Sequence, residues 1–78
     1  MDKKMLKRLF ADGFLLSATV EPLPMEEGRF RLVLKKPQGG EEEVTLARTE
    51  KVKIYQSFTA AVRDARDIGF KKVTVQMD

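Results

Sequence analysis

The 78-residue sequence contains no cysteine, no histidine and no tryptophan. Lack of cysteine excludes disulfides and thiolate metal sites. Lack of histidine removes the commonest general base and the commonest metal ligand, which argues against catalysis. Long apolar runs are missing too, so no segment approaches the length of a membrane span. The first residues are charged at Asp2, Lys3 and Lys4 and have no extended apolar core of the secretory kind, so a cytoplasmic location is expected. With only three prolines and five glycines, each stands out as punctuation between elements.

Hydrophobic residues make up 42% and charged residues 35% of the chain, a balance that suits one small globular domain with a marginal core. The formal net charge of +3 is a mild pull toward polyanions. At that value the placement of the cations matters more than their sum.

The clearest pattern runs from Tyr55 to Met77. Ser57 is a natural helix N-cap, and Phe58, Ala61, Val62, Ala65 and Ile68 form an apolar stripe at helical spacing. Arg63, Asp64, Arg66 and Asp67 are assigned to the opposite, solvated side. Gly69 fits a left-handed C-terminal position, with Phe70 folding back over the last turn. Val73, Val75 and Met77 then alternate with polar residues as a half-buried strand.

Residues 2–11 form a second, shorter amphipathic helix, capped by Asp2 and stopped by Asp12-Gly13. Its stripe is Met5, Leu6, Leu9 and Phe10. That stripe has three destinations: this chain's own sheet, a second copy in a homodimer, or a membrane or polyanion surface. Phe14 to Glu21 reads as a strand with Phe14, Leu16, Ala18 and Val20 inward, ended by Pro22 and Pro24. Leu23 and Met25 in the following loop either tuck under the sheet edge or form an exposed contact patch. Residues 29–36 alternate cleanly, and Pro37-Gln38-Gly39-Gly40 turns the chain into a strand over 42–48. Matching apolar faces sets Leu34 opposite Val44 and Leu32 opposite Leu46, with Lys35 across from Glu43 and Lys36 across from Glu42. Consecutive carboxylates at 41–43 point to alternating faces, so no metal site is expected there. In residues 51–55, Val52 and Ile54 are expected inward and Lys51, Lys53 and Tyr55 outward.

The expected fold class is α+β: two layers, an antiparallel sheet of three to five strands with one helix packed on a face and a short N-terminal helix. Residues 1–78 make a single domain, with the first helix over 1–12, strands over 13–55, the main helix over 57–69 and the closing strand over 71–77.

No catalytic constellation, phosphate loop or cofactor motif is present, which points to a non-enzymatic protein without cofactor or metal. Arg29, Arg31, Arg48, Lys51, Lys53 and Tyr55 gather basic groups and one aromatic on extended segments, a combination that can bind phosphates and stack on bases. They are the expected nucleic-acid contacts. An ordinary solvated sheet face is the competing reading, and a pure protein-interaction module using Met5, Leu6, Leu9, Phe10, Leu23 and Met25 is a third.

Over residues 29–68, strands followed by Ser57-Phe58 and Ala61 opening a helix, the chain resembles the small three-stranded-sheet-plus-helix domains of integrase arm-binding proteins and related plant DNA-binding domains. That resemblance implies a sheet face laid in the DNA major groove. The stretches LFADGFLLSATVEPLPMEEGRFRLVL and FTAAVRDARDIGFKKVTV resemble short bacterial proteins encoded beside plasmid or integrating-element replication and partition genes. This second resemblance implies an accessory role, with DNA or a replication or partition protein as partner.

Overall fold

Among the described residues, two helices and four strands follow one another as α1 (Lys3–Ala11), β1 (Ser17–Pro22), β2 (Phe30–Lys35), β3 (Glu41–Glu43), α2 (Phe58–Ile68) and β4 (Thr74–Val75). The structure is a computed structural model that describes residues 1–76, so the Met77 end of the expected closing strand lies outside the described residues. The sheet order is β3-β2-β1-β4. β1, β2 and β3 pair antiparallel, whereas β4 joins β1 in parallel, so the two-layer α+β expectation holds with a mixed sheet.

Both helices begin and end as their sequences dictate. The Asp2 carboxylate accepts from the Met5 amide at 2.9 Å, and the Ser57 hydroxyl accepts from the Ala60 amide at 3.2 Å. At the end of α1, Gly13 takes φ +82° while its amide and that of Phe14 donate to Phe10 and Leu9. This is a Schellman closure. It ties Phe14 to the helix end and delays the strand alternation until Ser17. Phe14 and Leu16, expected inward, are therefore 56% and 64% exposed, and Leu15 is buried instead. α2 closes differently, with the Gly69 and Phe70 amides both donating to the Ala65 carbonyl, at 3.2 and 3.1 Å.

α2 covers one face of the sheet. Val20, Leu32 and Leu34 meet Ala61, Ala65 and Ile68 there, all buried. α1 lies against α2 and contributes Leu6, fully buried, with Leu9 and Phe10 packed at the margin. The Phe10 ring meets the edge of Phe70 at 4.7 Å and lies over Gly69. Of the three destinations open to the N-terminal stripe, Leu6, Leu9 and Phe10 take the chain's own core, and only Met5 stays 55% exposed.

The β2–β3 register differs from expectation by two residues. Leu34 faces Glu42 and Lys35 faces Glu41. Gly39 and Gly40 both adopt positive φ, which tightens the loop so that Lys36 already bonds back to Gly40 at 3.1 Å. A two-residue shift keeps every side chain on its own face. The Lys36–Glu42 ion pair accordingly forms at 2.9 Å as a diagonal contact, while Glu43 turns to Arg31 rather than Lys35. Beyond β3 the chain makes a small hairpin over 44–53, held by the Thr45–Val52 bridge and the Leu46-to-Lys51 and Lys53-to-Val44 backbone bonds. It returns to pair Tyr55 with Phe30.

Candidate functional site

The polar centre of the fold is Asp64, a residue that the sequence pattern assigns to solvent. It lies in α2 three residues after Ala61 and four before Ile68, so helical geometry places it in the inward arc between them. It is 9% exposed. Its Oδ2 accepts from the Tyr55 hydroxyl at 2.7 Å and from Lys53 Nζ at 2.8 Å, and its Oδ1 from Lys3 Nζ at 3.3 Å. One carboxylate thus ties together α1, α2 and the segment that leads from the hairpin. Burial pushes Asp64 toward the neutral form, but the bonds from Lys53 and Tyr55 and the charges of Lys53 and Lys3 outweigh it and hold the carboxyl below its usual range. Burial, reinforced by the Asp64 bond, raises Tyr55 well above an ordinary phenol. Every buried side-chain polar atom among the described residues is satisfied.

This centre reverses the expected faces of residues 51–55. Val52 and Ile54 are 36% and 42% exposed, whereas Tyr55 is 4% exposed and Lys53 reaches inward. Alternation alone allows either phase. The choice falls to Asp64, because a buried carboxylate must find donors and this segment brings two of them. Tyr55 is therefore unavailable to stack on a base, and Lys53 is committed to an internal ion pair.

The other expected nucleic-acid contacts are dispersed. Arg31 donates through Nε and Nη2 to Glu21 Oε1 at 3.1 and 2.8 Å and lies 3.9 Å from Glu43, so it links three strands on the open face of the sheet. Arg29 is exposed at the entry to β2. Arg48 and Lys51 are exposed on the hairpin, Arg48 with φ +63° at its turn. The open sheet face carries Arg31 and Lys35 against Glu21, Glu41 and Glu43, with Arg29 exposed at its edge, so acids and bases balance. A sheet face with that balance does not present the basic surface that major-groove docking uses.

The cations collect instead on the helices. Lys3 and Lys7 hold Asp67 at 2.7 and 3.7 Å, and Lys3 with Lys53 holds Asp64. Lys4, Arg8, Arg63 and Arg66 are exposed and form no salt bridge among the described residues. Arg48 shares a shallow groove with Asp2 and Met5 at the start of α1, which brings the hairpin tip beside the helical layer.

Leu23 and Met25 part company. Leu23 is half-buried and its amide donates to Arg29 at 2.9 Å, while Met25 is wholly exposed with φ +62°. Among the described residues no group of three or more carboxylates could hold a metal ion, and no helix is long and apolar enough to cross a membrane. Compared with protein-family models, with curated proteins and with solved structures, the chain matches none, which adds nothing to either resemblance.

Proposed function

We propose that the chain is a non-enzymatic accessory domain that associates with DNA, and that its contacts come from the helical layer rather than from the sheet face. The observation that carries this reading is the charge asymmetry of the two faces. On the helices, Asp64 and Asp67 are held by lysines while Lys4, Arg8, Arg63 and Arg66 face solvent. On the sheet, acids balance the bases and Arg31 is held by Glu21 and Glu43. Arg48 on the hairpin lies beside the start of α1, in a groove it shares with Asp2 and Glu50. Cations on helix surfaces bind phosphates with little regard to sequence, so the association is expected to be electrostatic and unspecific. The non-enzymatic part of the reading is supported by Asp64, whose carboxylate is kept ionised and engaged by three donors inside the fold. A carboxylate whose basicity is lowered in this way is a poor general base.

Titration of a labelled DNA duplex at two salt concentrations tests the reading. Three or four phosphate contacts predict that a fourfold rise in salt weakens binding on the order of a hundredfold. Arg63→Ala with Arg66→Ala should weaken binding at low salt and reduce the salt slope, whereas Arg31→Ala should leave both unchanged. Absence of binding at low salt, or loss through Arg31→Ala alone, rejects it.

A further inference from the structure

The loop that joins β1 to β2 carries a residue that folding does not explain. Leu23-Pro24-Met25-Glu26 is a turn with Pro second and a positive-φ residue third, closed by the Glu26 amide on the Leu23 carbonyl at 3.4 Å. Glycine or asparagine is the favoured residue at that third position, because a Cβ there crowds the backbone. Methionine occupies it, and its side chain is fully exposed. The residue therefore gains nothing from burial and strains the turn. Conflicts of this kind between local preference and sequence concentrate at functional positions.

Met25 stands at the rim of a groove that continues over Leu23, Phe30 and Phe58. Phe58 is 49% exposed and meets the Phe30 ring edge-on at 6.3 Å, so the groove has an aromatic floor. Glu26 and Glu27 line it as well, exposed and without a salt bridge among the described residues, and no lysine or arginine does. In a chain of net charge +3, this is an apolar groove whose only charges are negative. The loop is also pre-shaped, since Leu23 and Arg29 close its base at 2.9 Å and Arg29 bonds back to Glu26 at 3.2 Å. A partner segment would find the groove already formed and lose little to ordering it.

We propose that this groove docks a short basic segment of a partner protein, with an apolar side chain seated against Met25 and Phe58 and flanking lysines or arginines facing Glu26 and Glu27. Charge complementarity selects the partner class, and the apolar floor supplies the anchor. The site is on different residues from the helical cations, so this inference stands apart from DNA association.

The test observes the Met25 methyl and Phe58 ring by NMR in the full chain while unlabelled hexapeptides are added. The probes are Lys-Lys-Phe-Leu-Lys-Lys, the same peptide with glutamate in place of lysine, and the same peptide with serine in place of both apolar residues. Saturable shifts at Met25 and Phe58 are expected with the first peptide alone. Glu26→Gln with Glu27→Gln should weaken that binding at least fivefold, and Met25→Gly should do the same. Neither change removes a buried group, so folding is retained and a lost signal reports the groove. Equal shifts with all three peptides, shifts confined to other residues, or no shift with the first peptide overturn the proposal. A Met25 shift that depends on protein concentration without peptide also overturns it, by naming a second copy as the occupant.

Discussion

The Tyr55 hydroxyl donates to Asp64 Oδ2 at 2.7 Å inside the fold, and this bond joins the returning hairpin strand to the middle of α2. Lys53 lies 2.8 Å from the same oxygen and 5.2 Å from the centre of the Tyr55 ring, so one lysine serves both residues. The consequence is structural: a segment that looks like a binding strand is held by its polar side chains rather than by its aliphatic ones.

Tyr55→Phe removes the buried donor and leaves Asp64 with its two lysines. A hydrogen bond to a charged group predicts a loss of about 1.5 kcal/mol, which for a domain of this size lowers Tm by roughly 6–12 °C. Asp64→Ala strands the Tyr55 hydroxyl and leaves Lys53 and Lys3 without a common partner, so a larger loss is expected. Because Lys53 and Lys3 are more than a third exposed, solvent limits that loss to about 3 kcal/mol. Urea titration of the two variants checks the order. If Tyr55→Phe is as stable as the parent, the bond contributes nothing to the fold.

The pH dependence follows from the same group. The Asp64 carboxyl titrates below its unfolded value of about 3.9, because Lys53, Tyr55 and Lys3 together overcome the effect of burial. A depressed carboxyl contributes stability that is fully present above its unfolded pKa and is lost as the pH falls through the folded one. Asp67, held down by its bond to Lys3, acts with the same sign. Stability should therefore be level between about pH 5 and 7 and fall below about pH 4, with a shallower acid limb in Asp64→Asn. At the alkaline end the sign reverses. The chain's only tyrosine is shifted upward by burial and by Asp64, so its contribution is present below about pH 10 and is lost above it. Tyrosinate absorbance should then appear only together with loss of the circular dichroism signal. Ionisation of Tyr55 in the folded chain at an ordinary pH would contradict its burial.

Where a local rule has one solution, the chain can be read directly. Asp2 and Ser57 cap their helices, Gly69 and Phe70 close α2, and the alternation at Leu32 and Leu34 marks the core side of β2. Reading fails where two solutions are locally equal. Residues 51–55 fit either phase, and only the position of Asp64 distinguishes them. The signal was present in the spacing, since residues 61, 64, 65 and 68 form one helical arc and a carboxylate inside it requires donors. The β2–β3 register depended on how tightly Gly39 and Gly40 turn, which composition does not state. The pairing of β4 with β1 is a tertiary choice with no local signature. Of the expected nucleic-acid contacts, Tyr55 and Lys53 follow this phase and face the helices, whereas Arg29, Arg48 and Lys51 stay exposed.

Gly69 is the position where the two helices constrain each other most directly. Its φ is +140°, a value open to glycine and strained for any other residue, and a Cβ there would run into the ring of Phe10 from α1. Gly69→Ala must distort the end of α2 or displace Phe10, which also loosens the Phe10–Phe70 contact. A loss of about 2 kcal/mol or more is expected, read as a lower urea midpoint. Phe10→Leu removes the ring that blocks the site, so the same alanine in that background should cost less. Equal costs in the two backgrounds would assign the whole effect to the backbone.

Met25 offers the opposite case, in which substitution should help the fold. At φ +62° with a fully exposed side chain, methionine bears left-handed strain and forfeits burial. Left-handed strain of about 1–2 kcal/mol is relieved by glycine, while glycine's extra freedom in the unfolded chain takes back roughly 0.5–1. Met25→Gly should therefore be more stable than the parent by about 0.5 kcal/mol, a rise in Tm of a few degrees. Met25→Ala separates the two contributions, since it keeps the strain and removes only the exposed apolar chain, and its stability should equal that of the parent. If both variants are destabilised, the methionine side chain supports the loop and its exposure has a structural cause. If only the glycine variant gains stability while both lose peptide binding, the turn retains a residue that folding disfavours because the groove uses it.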